Sequence, residues 1–210
     1  MYPRIVVIGA GYWGKNLVRN FYELGHLFGI CDNNELLAQG FSEKYPEVTF
    51  TTDYESVLSD NAVDAVVIAT PAATHFGIVK RALSAGKHVM VEKPLALSVK
   101  EGEVLVDLAE RSHLILMVGH ILQYHPAVLK LKEIIDEGVL GKIQYIYSNR
   151  LNIGKIRTEE NILWSFAPHD ISVILFLLGE QPSWVFAHGG NYLQENVADT
   201  TVTFSTSPAV

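Results

Sequence analysis

Residues 4–14 read RIVVIGAGYWG. The run from Ile5 to Ile8 is apolar without interruption, which suits a short strand covered on both faces. Glycines follow at 9, 11 and 14, and residues 12–24 then place apolar side chains at helical spacing. A G-x-G-x-x-G pattern alone is weak, but between a strand and a helix it has the context it needs. There Gly9 permits the tight turn, Gly11 lets the main chain approach a pyrophosphate, and Gly14 lets helix and strand pack closely. The backbone N–H groups of Tyr12 and Trp13 face such a phosphate from the helix N-terminus. The stretch predicts a dinucleotide-binding βαβ unit.

The same alternation continues outward. Strand-like runs at 27–32, 48–51, 64–70, 87–92 and 114–119 alternate with helix-like runs, and Ser98 with Glu101 forms a capping-box start for one of them. Strands separated by single helices predict a parallel, doubly wound sheet, an α/β Rossmann domain over residues 1–120. After Gly119 the pattern changes. A helix is predicted over 126–138 with Pro126 at its start, a half-buried strand over 142–153, a helix over 168–179 opening at Pro168, and two more strands near 183–193 and 199–206. Residues 121–210 are thus expected to form an α+β domain with an open sheet, antiparallel or mixed. Because the chain stops just after a strand, that domain is expected to be incomplete.

Composition narrows the function. The chain has 210 residues, 49% hydrophobic and 19% charged, with a net charge of −7 and no long Lys/Arg run. Nucleic acid and anionic membrane are therefore not expected as partners. Cys31 is the single cysteine, so no intrachain disulfide or Cys-based metal cluster can form. No His and acidic residues share metal-ligand spacing, and no metal is expected. The longest apolar stretch, near residues 171–179, falls short of the roughly 20 residues that span a bilayer. A soluble, cytoplasmic protein is expected.

Asp32 ends the second predicted strand, where a carboxylate accepts hydrogen bonds from the adenosine ribose and repels a 2′-phosphate. Asn33 and Asn34 add no cation beside it, so NAD is expected over NADP, with Asn33 also near the ribose. VEKP at 91–94 sits at the carboxyl end of the fifth predicted strand, the end where ligands bind in open α/β sheets. Pro94 keeps Lys93 out of helical geometry and admits a cis bond.

GAGYWG (9–14), ATPAATH (69–75), VEKPLALS (91–98) and GHILQYHPA (119–127), in this order and spacing, resemble the Gfo/Idh/MocA oxidoreductase family along essentially the whole chain. The resemblance implies that Thr70, Pro71 and His75 line the cofactor cleft, that Glu92 lies by the nicotinamide end, and that Lys93 is catalytic. It also implies oligomer contacts through the C-terminal sheet. The segment NRLNIGKIRTEENILWSFAPHDISVI (149–174) is similar to the WlbA/WbpB-type branch. Those enzymes oxidise the C3 hydroxyl of UDP-N-acetylglucosaminuronic acid for surface polysaccharide. By that resemblance His169 faces the substrate with Lys93. Such relatives usually carry an acid where this chain has Ser165, which keeps a hydrogen-bonding group and loses the charge.

Oxidising a secondary alcohol needs a base near neutral pH, which suits His169, and a donor for the developing alkoxide, which suits Lys93. The reverse assignment, with a neutral Lys93 as base, stays open. Arg157 and Asn161 are candidates for a sugar carboxylate or diphosphate. His120, Gln123 and His125 are expected to shape the cleft. Two other readings remain: a dehydrogenase or reductase of a free sugar or cyclitol, and a non-catalytic NAD-binding protein on the same fold.

Overall fold

Val6 and Ile8 point to one side of their strand and Ile5 and Val7 to the other, and all four are buried in the computed structural model, which describes residues 2–151 and 161–206. The uninterrupted apolar run therefore has the cause read from the sequence: this strand has no solvent face. The chain divides into two units, 1–119 and 120–210.

The first unit contains strands β1 (Ile5–Ile8), β2 (Leu27–Cys31), β3 (Thr49–Thr51), β4 (Ala65–Ile68), β5 (His88–Val91) and β6 (Leu116–Val118). They lie side by side in the order β3-β2-β1-β4-β5-β6, every pair parallel. Helices α1 (Gly14–Glu23), α2 (Leu37–Lys44), α3 (Tyr54–Ser59), α4 (Ala72–Ser84) and α5 (Val99–Arg111) connect them. On one face Val6, Ile8, Val66, Ile68, Val89 and Val91 pack with Val79, Leu83 and Leu105 of α4 and α5. On the other, Val7, Ile30 and Val67 pack with Leu17 and Val18 of α1. The strand order reverses between β1 and β4, and ligands bind at such a switch point, beyond the carboxyl ends of the strands.

Two local predictions are met. Ser98 accepts a hydrogen bond from the Glu101 N–H at the start of α5. Gly9 adopts φ +90, a conformation L side chains rarely hold. Lys87 is a further pin: it is 5% exposed, and its ammonium donates to the carbonyls of Asp60 and Val63 at 2.7 and 2.8 Å. Lys87→Met leaves the buried Val63 carbonyl and the part-buried Asp60 carbonyl without that donor and is expected to cost about 2–3 kcal/mol. The midpoint of urea denaturation, at unchanged slope, checks this.

In the second unit a 3₁₀ turn (Ile121–Tyr124) leads into α6 (Pro126–Asp136), which has Pro126 in its first turn and the His125 side chain as its cap. Then come α7 (Ile162–Leu178), β7 (Trp184–Gly190) and β8 (Thr200–Thr206). The expected open sheet is, among the described residues, a two-stranded antiparallel ribbon, with Phe186 opposite Phe204. Two expectations need correction here. No strand forms over the described residues 142–151 of the segment expected at 142–153. Alternation specifies faces but not a partner, and there Tyr145 and Tyr147 are exposed. The helix expected from Pro168 begins six residues earlier. Asn161 caps it by accepting the Trp164 N–H at 3.1 Å, so Pro168 lies inside the helix. Asp170 accordingly sits mid-helix and pairs with Arg150 and Ser148.

Trp184, Phe186, Val202 and Phe204 of the ribbon are each more than half exposed, and a bare two-stranded ribbon is marginal in water. Among the described residues no helix is long and apolar enough to cross a membrane.

Candidate cofactor and active site

The site of the first unit grows from the ends of four strands. After β1 the chain turns at Gly9, where a Cβ would stand 2.8 Å from Ala69 C and Thr70 N, just past β4. A Cβ on Gly14 would lie 1.8 Å from Gly9 O. The first and last glycines therefore close the turn on itself and on the neighbouring strand. Gly11 differs: a Cβ there meets nothing within 4 Å. Tyr12 beside it is 89% exposed. Packing does not demand the middle glycine, whose bare main chain faces open space.

Asp32 follows β2. One carboxylate oxygen accepts the Ala10 N–H at 2.7 Å and the other accepts the Asn34 N–H at 2.9 Å. The carboxylate thus braces the glycine turn as well as marking the strand end, and each oxygen retains a lone pair for a further donor. Asn33 beside it is exposed. The preceding Cys31 thiol is pushed up to about 11, by burial first and then by the charges of Asp32 and Asp53. It is a core filler, not a thiolate nucleophile.

After β4, the Thr70 hydroxyl hydrogen-bonds Thr74, and Pro71 leads into α4. His75 is 1% exposed. Its ring nitrogens meet the carbonyls of Thr70 (2.8 Å) and Pro94 (2.7 Å). It stands inside the wall, tying the end of β4 to the turn after β5, where the resemblance led us to expect a lining residue. In that turn the Lys93–Pro94 bond is cis, Lys93 is half-buried, and Glu92 accepts the Trp13 indole N–H at 2.7 Å. The Trp13–Glu92 contact joins residues far apart in sequence and has no local signal.

In the second unit, Ser165 and His169 lie four residues apart on α7 and share a face. Ser165 is 4% exposed, His169 is half-buried, and Ser172 donates to the His169 carbonyl. Asn161 spends its side-chain oxygen on the helix cap. Arg157 lies outside the described residues. Gln123 donates to the Ser172 carbonyl, and His88, like His125, accepts a backbone N–H.

These residues fit NAD. They offer an open approach over Gly11, main-chain donors at the start of α1, and a braced carboxylate at the end of β2. A family model described as an oxidoreductase family with an NAD-binding Rossmann fold matches residues 3–120, and the GFO/IDH/MocA C-terminal domain matches 128–207. The chain belongs to the Gfo/Idh/MocA oxidoreductase family. Its cofactor is NAD.

Within that family the chain is 31% identical over 195 residues to a UDP-N-acetylglucosamine 3-dehydrogenase of Acidithiobacillus ferrooxidans, covering 90% of this chain and 58% of that protein. It is 30% identical to a scyllo-inositol 2-dehydrogenase (NAD(+)) of Bacillus subtilis, covering 89% of this chain and 57% of that one. A solved structure of the Acidithiobacillus enzyme superposes with a TM-score of 0.85 at 29% identity, over 98% of this chain and 66% of the other. An NAD-binding protein from Listeria innocua gives 0.89 at 26% identity, over 98% and 64%. The chain thus spans somewhat over half the length of the curated relatives it matches.

Proposed function

We propose that the protein is an NAD-dependent dehydrogenase that uses Lys93 and His169 and acts on the C3 hydroxyl of a UDP-N-acetyl sugar. The observation that carries this reading is Lys93 at the carboxyl end of β5, in the same unit as a glycine turn built for a dinucleotide. The Acidithiobacillus relative supports the choice of a UDP-sugar. NAD, when bound, supplies the hydride acceptor. In this reading His169 takes the proton from the substrate hydroxyl, and Lys93 donates a hydrogen bond to the same oxygen as negative charge develops. Asp32 accepts from the adenosine ribose, and Asn33, Thr70 and Pro71 stand at the rim of the cofactor site. Arg157 is the proposed cation for a C6 carboxylate, which would favour a UDP-N-acetyl-hexuronic acid of polysaccharide biosynthesis over UDP-N-acetylglucosamine. The inositol dehydrogenase relative favours a second reading, in which the substrate is a cyclitol or free sugar.

Absorbance at 340 nm decides between them. The protein is mixed with NAD and, separately, with UDP-N-acetylglucosamine, its uronic acid and scyllo-inositol. The proposal expects growth with a UDP-sugar and fastest with the uronic acid. Growth with the cyclitol alone sinks it in favour of the second reading.

A further inference from the structure

Trp13 has two ends in different places. Its main chain belongs to the glycine turn, one residue before α1, among the N–H groups that face a pyrophosphate. Its indole reaches past β5 and donates to Glu92, the residue before Lys93, over a sequence separation of 79. At 2.7 Å with a carboxylate acceptor, this is the stronger, charge-assisted kind of hydrogen bond. Gly119, just after β6, completes the arrangement. A Cβ there would stand 3.0 Å from one Glu92 carboxylate oxygen and 3.3 Å from the other, so the missing side chain is what leaves room for the carboxylate. On the far side of Lys93, the Pro94 carbonyl is held by the buried His75. The flank tied through Glu92 is the one held directly by a side chain of the glycine turn.

We propose that Trp13 is a positioning residue that couples the phosphate-binding turn to the Glu92–Lys93 segment, its indole holding Glu92 while its main chain binds the cofactor. This deepens the reading of the first unit as the NAD site and rests on it. In the free protein the indole bond already fixes the Trp13 side chain and the Glu92 carboxylate, so less ordering remains when NAD binds. The coupling runs both ways: a change at Glu92 is felt as a change in NAD affinity, although Glu92 is not in the glycine turn.

A double-mutant cycle on NAD binding, read by calorimetry, tests this without any sugar substrate. Trp13→Phe keeps a ring in a partly exposed place and removes the donor. Glu92→Leu removes the acceptor. Each is expected to weaken NAD binding roughly five- to tenfold, and the double variant no further than the weaker single one. Gly119→Ala, which crowds the carboxylate, weakens binding in the same direction. The Trp13 indole N–H proton resonance, assigned by its loss in Trp13→Phe, moves on adding NAD to the parent protein. In Glu92→Leu it sits at the free-indole position before NAD is added. Thermal midpoints of the variants stay near the parent's, which separates coupling from a loss of fold. Losses that multiply in the double variant, or single variants with parental affinity, overturn the coupling while leaving the NAD site standing. A parent protein that does not bind NAD overturns both.

Discussion

Gly14→Ala is expected to unfold the first unit's cofactor turn, while Gly11→Ala leaves the fold intact and weakens NAD binding. The two substitutions add the same methyl group three residues apart. At position 14 that carbon would stand 1.8 Å from the Gly9 carbonyl oxygen and 2.8 Å from its carbon. Both are main-chain atoms, so no flexible side chain can yield. The contact between α1 and β1 must open, at a cost of roughly 4 kcal/mol or more. At position 11 the methyl meets nothing, and alanine even reduces the freedom of the unfolded chain, so the thermal midpoint should hold or rise slightly. Yet that methyl occupies the approach to the main chain that a pyrophosphate uses. The NAD dissociation constant should rise about 100-fold, near 2.7 kcal/mol. Denaturation and calorimetry on both variants check the contrast. If Gly11→Ala binds NAD as the parent does, the dinucleotide does not lie over this turn.

Lys93→Met is expected to lower turnover by about 10³-fold at saturating NAD and sugar, with NAD affinity within a few-fold of the parent's. Methionine matches the lysine stem in length and apolar surface but cannot donate to an oxyanion, and one such donor is worth roughly 10²–10³ in rate. The companion His169→Asn assigns the base. If His169 takes the proton, the acid limb of the pH–rate profile is absent in His169→Asn and kept in Lys93→Met; if Lys93 takes it, the reverse holds. Turnover of Lys93→Met within a few-fold of the parent excludes Lys93 from the chemistry.

The first unit was legible from the sequence because its signals are local. Uninterrupted apolar runs, single helices between them and glycines at the end of the first strand each constrain only their own neighbourhood. Together they specify a parallel sheet whose ligand site lies beyond β1. The second unit was less legible because its elements depend on partners. The alternation from Ile143 to Tyr147 marks an extended segment but does not say what pairs with it. Pro168 looked like a first-turn proline, the position where proline costs least. The competing signal was Asn161 ahead of Ile162, Leu163 and Trp164, as good a cap as any residue provides. The resulting helix carries proline in its interior, a cost of about 3 kcal/mol that its remaining contacts must offset. It also sets Ser165 one turn before the proposed base His169, so the two share a helical face. Within the site, the motifs named the residues but not their ties. That Asp32 braces Ala10, that His75 turns inward and that Trp13 reaches Glu92 are long-range facts, and periodicity carries no information about them.

The account rests on NAD bound over the glycine turn with its adenosine ribose at Asp32, a carboxylate held by two main-chain donors with Asn33 and Asn34 as its sequence neighbours. Titrating NAD and NADP into the same protein by calorimetry tests this most directly. Tight NAD binding, with NADP weaker by about tenfold or more because the 2′-phosphate meets the Asp32 charge, is the predicted result. Equal affinities, or tighter binding of NADP, would contradict the account.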